Sequence, residues 1–161
     1  MTLIWHRSPD RTGKPQSPIS VVAWIERGQQ IRSTLIQPKL VWKRKHGGRD
    51  DEGISKISNE HMNEVDLLDI SHILKLKRVN RDKFPLARSR HCFSLDCFAK
   101  SFVFEASCEA ERDRIALCLK LAVARLGAMI IANDNTFFEE FFHSGEAEVP
   151  GAPPSFQDLN Q

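Results

Sequence analysis

The spacing of apolar residues changes once along this chain, near residue 107, and this change limits the folds that the chain can adopt. Before it, short segments rich in β-branched and aromatic residues show the two-residue alternation of β-strands, as in residues 39–45. After it, apolar residues recur every three or four positions from Glu109 to about Ile131, which predicts one long helix, with Gly127 as an alternative end. Strands and helices do not alternate, so a doubly wound parallel sheet is excluded.

Residues 91–96 and 101–106 form the clearest predicted strand pair, a hairpin with a short connection. Phe102 and Phe104 lie on one face of its second strand, because side chains alternate along a strand. Further strands are predicted over residues 20–25, 34–45 and 65–79. An antiparallel sheet of these strands needs cover for its apolar face, and one amphipathic helix after the last strand supplies it. The fold class that follows is mainly β.

Three stretches of the chain resemble the pleckstrin-homology (PH) domain family. Residues 65–76 are similar to one of the family's apolar strand patterns, and the hairpin that ends in Ser101-Phe-Val-Phe-Glu-Ala106 resembles its last two strands. Residues 107–115 resemble the start of the family's helix, with Ile115 at the place where the family usually carries a tryptophan. An aliphatic residue there is still suited to fill a core.

The resemblance covers residues 65–126 well and residues 19–45 loosely. It implies a bent antiparallel PH-like barrel of about seven strands, closed by one C-terminal α-helix, and a non-catalytic binding module. We therefore expect a PH-like domain over residues 19–131. Residues 1–18, rich in proline and small polar residues, are predicted to be a flexible leader, and residues 132–161 an acidic, phenylalanine-containing tail that is partly disordered.

Charge is distributed unevenly along the chain. All 23 basic residues lie at or before Arg125, whereas six of the 21 acidic residues lie after Ile131. Residues 1–131 therefore carry a formal net charge of +8 and the remainder −6. A basic body of this kind attracts phosphate groups, acidic lipids, nucleic acid or its own tail. Nucleic acid is disfavoured, because Phe84 is the single aromatic residue among the basic residues between 75 and 90, and bases usually stack on aromatic side chains.

Seven basic residues make up the candidate site for lipid headgroups: Arg27, Arg32, Lys39, Lys43, Lys45, Lys75 and Lys77. Strand alternation places three of these lysines, at positions 39, 43 and 45, on one face. Convergent ammonium and guanidinium groups bind phosphate well, because charge-assisted hydrogen bonds are the stronger kind. The alternative is a solvated strand edge on which lysines protect against aggregation.

The other candidate residues are placed by their neighbours in the sequence. Arg27 and Arg32 flank Gly28-Gln-Gln, the predicted loop of the first hairpin. By the resemblance, these regions and the strand that carries Lys75 and Lys77 surround the mouth of the barrel, where members of the family bind inositol phosphates. The expected function is membrane recruitment through anionic phospholipid or phosphoinositide headgroups. The alternative is a protein-interaction scaffold on the same barrel.

No pattern of catalytic or metal-binding residues is recognisable in the sequence. The histidines form no nucleophile–base signature, and neither a G-x-S-x-G nor a P-loop pattern occurs. His91-Cys92 with Cys97 is interpreted as a strand residue beside structural thiols, and the four cysteines lack C-x-x-C spacing. We therefore expect no enzyme, no metal and no cofactor, and free thiols in a reducing compartment.

The predicted location in the cell rests on two features that the sequence lacks. No run approaches the roughly 20 apolar residues of a membrane span. The first residues do not read as a secretory signal. We expect a cytoplasmic protein whose contact with membranes is peripheral.

Four phenylalanines follow the predicted helix within a short acidic segment, namely Phe137, Phe138, Phe141 and Phe142. Each gains about 1.5–3 kcal/mol if it is buried. One interpretation is that they dock on the barrel as a short terminal helix. The other is that the tail presents them to a protein partner.

Overall fold

The fold is mainly β, as the sequence predicts, with one long helix after the last strand of its main sheet. The structure is a computed structural model that describes residues 1–31, 34–45, 62–98, 100–133 and 136–143. Its elements are β1 (Thr2–His6), β2 (Ile19–Glu26), β3 (Gly28–Ile31), β4 (Thr34–Ile36), β5 (Lys39–Arg44), β6 (Asn63–Asp66), β7 (Ile70–Lys75), β8 (Cys92–Cys97), β9 (Ser101–Glu105), α1 (Glu109–Ile131), α2 (Thr136–Phe141) and β10 (Phe142–His143).

Seven strands form one antiparallel sheet in the order β6-β5-β2-β1-β9-β8-β7, and β10, β3 and β4 form a second, small sheet. The 3₁₀ turn Leu67–Asp69 connects the two edge strands of the main sheet, β6 and β7. The ladders of the described residues do not pair these edges with each other, so hydrogen bonding does not close the predicted barrel there. The mainly β fold class, with a main sheet of seven antiparallel strands and one C-terminal helix, is confirmed.

Strand β1 corrects the prediction that residues 1–18 are a flexible leader. It lies in the middle of the main sheet, antiparallel to both β2 and β9. Leu3 is buried, and the Trp5 ring meets the Trp42 ring edge to face at 5.7 Å between centroids. The domain therefore begins before residue 19, because the five residues of β1 complete the sheet.

Two predicted strands are each interrupted. Pro38 separates β4 from β5, because proline has no backbone N–H to give to a ladder. The 3₁₀ turn Leu67–Asp69 likewise divides the predicted strand 65–79. The predicted loop at Gly28-Gln-Gln is also wrong, because these residues belong to β3, which pairs with β4 and with β10.

The core lies between the main sheet and α1. Trp42 is fully buried and packs edge to face against Phe102 and Phe104, at centroid distances of 5.0 and 5.2 Å. Leu119 and Leu126 bring one face of α1 into the same core. Burial of this side of the sheet is the main source of stability that the packing offers.

Helix α1 follows the predicted bounds and continues through Gly127. Its N-cap is Cys108, whose sulfur accepts a hydrogen bond from the Glu111 N–H at 3.5 Å, while the Ser107 hydroxyl bonds the Glu111 carboxylate. Ile115 is buried in the core, at the position where the resemblance expects a tryptophan. Among the helices of the described residues, none combines the length and apolar character that crossing a membrane requires.

The segment after α1 docks on the domain, so the predicted boundary at residue 131 is wrong. Phe141 and Phe142 belong to the core, and β10 runs parallel to β3. Gly28 makes this docking fit, because a Cβ there would clash with the Phe142 ring and the Ile36 carbonyl. The side chains of Phe137 and Phe138, and residues 144–161, lie outside the described part of the chain.

We expect Leu119→Asp to lower the free energy of unfolding by about 4 kcal/mol or more, because it places an unpaired charge in the core. The matched control is Leu121→Asp, on the same helix but 60% exposed, against 2% for Leu119. It should change stability by about 0.5 kcal/mol or less. Urea unfolding measures both. Equal effects of the two changes would show that the buried face of α1 is misassigned.

Candidate anion-binding surface

The structure distributes the predicted headgroup-binding residues over three places. Lys43 and Lys45 lie at the end of β5, next to the start of β2. Arg27 and Lys39 lie at the other end of the same strand pair, where Glu26 is opposite Lys39. The remaining described pair, at positions 75 and 77, lies at the end of β7. Arg32 lies outside the described residues.

Lys39 is engaged with carboxylates of neighbouring strands. Its ammonium donates a hydrogen bond to the Glu64 carboxylate at 2.6 Å. That hydrogen bond, opposed by partial desolvation and assisted by the charges of Glu64, Asp66 and Glu26, raises the pKa of Lys39. An ammonium with three carboxylates around it attracts a further anion weakly. Lys39 is therefore better explained as a cross-strand contact between β5 and β6.

Lys75 is likewise part of a structural contact. Its ammonium lies 3.3 Å from a carboxylate oxygen of Asp113, and the guanidinium of Arg112 lies 2.6 Å from the other oxygen. The hydrogen bond from Arg112 lowers the pKa of Asp113, and that from Lys75 adds to the effect. Lys75 thus helps to join β7 to the first turns of α1.

Lys43 and Lys45 belong to a larger group of basic residues that meets at one end of the main sheet. Trp5 is paired with Ile19 and Val21 with Arg44, so the connection between β1 and β2 lies beside the end of β5. The Lys45 N–H extends this contact by donating to the Ser20 carbonyl at 2.9 Å. We call the six cations of this end the basic rim: Arg7, Arg11, Lys14, Lys43, Arg44 and Lys45.

The basic rim carries few acidic neighbours among the described residues. Within residues 1–25 and 40–45, the sequence contains a single carboxylate, that of Asp10. All members of the rim except the partly buried Arg7 are exposed. The ammonium of Lys43 lies 5.9 Å from the ring centroid of Trp24, a cation–π contact that orients this side chain on the outer surface.

The connection between β1 and β2, which carries three of the six rim residues, is stabilised by hydrogen bonds within it. One Asp10 oxygen accepts from the Thr12 hydroxyl at 2.6 Å and from the backbone N–H groups of Thr12 and Lys14. The hydrogen bonds from Thr12 and Lys14 lower the pKa of Asp10. Gly13, with a φ of 80°, makes the tight turn inside this ring. Arg7 closes the base of the connection by donating to the Ser17 carbonyl.

An exposed aromatic side chain projects from the same end of the β1–β9 pair. His6, the last residue of β1, is paired with Val103, so the connection before β9 extends beyond the same end as the connection after β1. That connection carries Phe98, which is 98% exposed, and Lys100. Carboxylates of Asp69 and Asp96 lie near Cys97, its neighbour in the chain, so the surroundings of Phe98 are of mixed charge. A phenylalanine left in water is suited to enter another apolar phase.

One cluster of ligand-type side chains is buried on the other face of the sheet. His6, Cys92 and Glu105 place a nitrogen, a sulfur and an oxygen within 4.8 Å of one another. His6 donates to a Glu105 oxygen at 2.8 Å, and the Cys92 thiol lies 3.8 Å from the same oxygen. Arg88 adds its backbone N–H at 3.0 Å and its guanidinium at 2.5 Å. The Glu105 carboxylate therefore accepts from several donors at once.

The chemistry of this cluster favours a hydrogen-bond network over a metal site. Burial, then the Glu105 charge, raises the pKa of the Cys92 thiol to about 12, whereas a metal binds the thiolate. Burial alone would raise the pKa of Glu105, but hydrogen bonds from Arg88 and His6 outweigh it and lower that pKa. The Arg88 guanidinium also repels a second cation at this carboxylate. The cluster differs from His91, Cys92 and Cys97, the set considered from the sequence.

Sequence reasoning missed four members of the basic rim. Arg44 was left out of the candidate site, and Arg7, Arg11 and Lys14 were assigned to a leader because prolines and small polar residues surround them. The signal that could have found Arg7, Arg11 and Lys14 is the apolar run Leu3-Ile-Trp5, whose β-branched and aromatic residues are typical of a strand before the connection. In comparisons with known proteins, no family model, no curated protein and no solved structure matches this chain.

We expect Glu105→Gln to cost about 3 kcal/mol at neutral pH, because it breaks a buried, hydrogen-bonded ion pair. The lowered pKa of Glu105 means that its contribution is present above the usual pKa of 4.5 and disappears as the pH falls through the folded-state value. The variant should therefore lose less stability than the wild type over that acid range. Urea unfolding at a series of pH values measures the difference.

The control for this prediction is Glu64→Gln, which breaks the Lys39–Glu64 pair on the surface, where Glu64 is 49% exposed. An exposed pair contributes about 0–1 kcal/mol. Glu64→Gln should lose stability with falling pH as the wild type does. If Glu105→Gln does the same, the Glu105 network contributes nothing to stability.

Proposed function

We propose that this protein is a non-catalytic binding module with a PH-like fold, and that it attaches to membranes through anionic lipid headgroups, including phosphoinositides. The basic rim is the contact surface. The observation that carries this proposal is that six cations lie at one end of the sheet, on segments 1–25 and 40–45, which contain a single carboxylate, that of Asp10.

The fold part of the proposal rests on the order of the elements. A main sheet of seven antiparallel strands is followed directly by α1, which packs on it through Leu119 and Leu126. This is the architecture that the resemblance to PH domains implies. The sequence motifs over residues 65–126 supply β7, β8, β9 and the start of α1.

The lipid part of the proposal rests on charge. Near an anionic membrane surface, each basic residue contributes about 1 kcal/mol. The six cations of the rim are therefore enough for attachment, even if part of that attraction is screened by salt. Lys39 and Lys75 contribute less, because each already pairs with a carboxylate. Phosphate oxygens also accept several hydrogen bonds at once from guanidinium groups such as those of Arg7 and Arg11.

The non-catalytic part of the proposal rests on the buried cluster around Glu105. It is the one group of nucleophile and acid–base side chains that the described residues bring together in the interior. Its members bond to one another and lie under the segment that carries Phe84, whose ring packs against His6. A structural network explains these contacts without a substrate.

We expect the triple change Arg11→Glu, Lys14→Glu and Lys45→Glu to weaken vesicle binding by about 100-fold or more, because it removes three favourable charges of about 1 kcal/mol each. Co-sedimentation with phosphatidylcholine vesicles that contain phosphatidylserine or a phosphoinositide measures the change. Wild-type binding should weaken as salt is raised. A preference among headgroups of equal charge would indicate a dedicated pocket.

The matched control reverses three exposed charges on the α1 side of the molecule, Arg27→Glu, Arg114→Glu and Lys120→Glu. It changes the net charge by the same amount and should leave most of the vesicle binding. Equal losses in both triple variants would mean that the whole basic body binds and that the rim is not the site. A wild-type protein that binds none of these vesicles would remove the lipid proposal.

We also expect Phe98→Ser to weaken vesicle binding by about tenfold or more, since burial of a phenylalanine contributes about 1.5–3 kcal/mol. The control is Ile131→Ser, which removes another highly exposed apolar side chain, 88% exposed, at the end of α1. Binding of soluble inositol phosphates should be unchanged in the Phe98 variant, because no apolar phase is present. Unchanged vesicle binding would show that Phe98 stays in water.

A further inference from the structure

Helix α1 has a second apolar face, opposite the one that enters the core. The residues of this face follow one another at spacings of four, three, four and three positions, and we call them the outer stripe: Leu117, Leu121, Ala124, Ala128 and Ile131. All five are exposed, whereas Leu119 and Leu126 on the other side are buried. A spacing of this kind is the seam of helices that pack on other helices.

The exposure of the large members of the outer stripe is high. Leu117 is 56% exposed, Leu121 60% and Ile131 88%. A surface helix of a monomer usually has a polar outer face, and a helix that is apolar all round is usually buried all round. The outer stripe is therefore better explained by a partner that covers it than by contact with water.

The shape of the outer stripe suits a helix. Its bulky residues, Leu117, Leu121 and Ile131, lie towards its two ends, and Ala124 and Ala128 lie between them. Gly127 borders the small residues, and no atom lies within 4 Å of the position that its Cβ would occupy. A second helix can approach the backbone closely at such a site. A membrane gains little from alanines, because they bury little apolar area.

A groove continues from the outer stripe towards the sheet. It has a volume of about 390 Å³ and lies between α1, β2 and α2. Leu121 forms its border with the stripe, and Ile25, Pro38 and Phe141 line its apolar part. A helix seated on the stripe can therefore place one large apolar side chain in the groove.

The charges that border this surface are mainly basic. After Asp113, every charged residue of α1 is a cation: Arg114, Lys120 and Arg125. Arg27 lies at the groove, and the carboxylate that lines it, that of Glu140, is 2.5 Å from Arg125. A second copy of this chain is a poor occupant, because two such helices would bring cations together. Acidic flanks complement the surface.

We propose that the outer stripe and the adjoining groove form the docking site for an amphipathic helix of a partner protein, with leucine-type residues on its apolar face and glutamate or aspartate beside them. The proposal does not rest on lipid binding, since no member of the basic rim lies on this surface. A scaffold function would then use α1 and the groove beside it, which Phe141 helps to line, whereas Phe142 is in the core.

The test uses two synthetic amphipathic helical peptides with the same leucine heptads. One peptide has glutamate at the positions that flank the leucines, and the other has lysine there. Fluorescence anisotropy with the full chain should show at least about tenfold tighter binding of the glutamate peptide, the effect of a few charge pairs. The double change Leu117→Gln and Leu121→Gln should weaken that binding by about tenfold or more.

The matched control is the double change Leu74→Gln and Leu86→Gln, which alters two exposed leucines outside α1 and should leave peptide binding unchanged. Equal binding of the two peptides, or an unaffected Leu117/Leu121 variant, overturns the proposal. The proposal is also overturned if the wild type self-associates in sedimentation analysis and the Leu117/Leu121 change removes that self-association, because the occupant is then a second copy. Loss of anionic vesicle binding in that variant, with the rim intact, assigns the stripe to a membrane and also overturns it.

Discussion

The main sheet depends on the pairing of β1 with strands on both of its sides. In the strand order, β1 is the link between the group β6-β5-β2 and the group β9-β8-β7. Leu3 and Trp5 extend the core across this link, and on the other face His6 donates to the buried carboxylate of Glu105 on β9. Breaking this hydrogen bond removes one of the donors of a buried carboxylate, so it favours one register of β1 against β9.

The surface at the end of the sheet is a consequence of the same pairing. Because β1 lies between β2 and β9, the connection after His6 lies near the end of β5 on one side and near the connection that carries Phe98 on the other. Arg11 and Lys14 are positioned by the Asp10 turn within that connection. The basic rim is thus assembled from segments that are distant in sequence and adjacent in the sheet.

The spacing and alternation of apolar residues predicted the elements that depend mainly on the local sequence. The three- to four-residue spacing gave the bounds of α1 even across Gly127, because one buried face outweighs the cost of a single glycine. The hairpin of β8 and β9 was also predicted, because its phenylalanines alternate. Strand β1 was missed because it is short and is followed by proline and glycine, and its stability comes from two neighbours that only the fold supplies.

The structure separates the predicted site residues, and the sequence could not show this, since a basic residue's availability depends on its neighbours in space. Alternation correctly placed Lys39 on the face of Lys43, but it gave no information about Glu64, which comes from β6. Docking of the tail phenylalanines was one of the two interpretations, but the sequence did not show where Phe142 docks, because that place depends on the missing side chain of Gly28.

The pairing of carboxylates with nearby cations also explains how a chain with nearly equal numbers of acidic and basic residues has a basic surface. Carboxylates are used where elements join: Glu64 joins β6 to β5, Asp113 joins α1 to β7, and Glu105 joins β9 to the segment before β8. At the end of the sheet, Asp10 is used within its own turn, where backbone N–H groups satisfy it. Among the described residues, the cations of the rim are therefore less neutralised by carboxylates than Lys39 and Lys75 are, although the net charge of the whole chain is only +2.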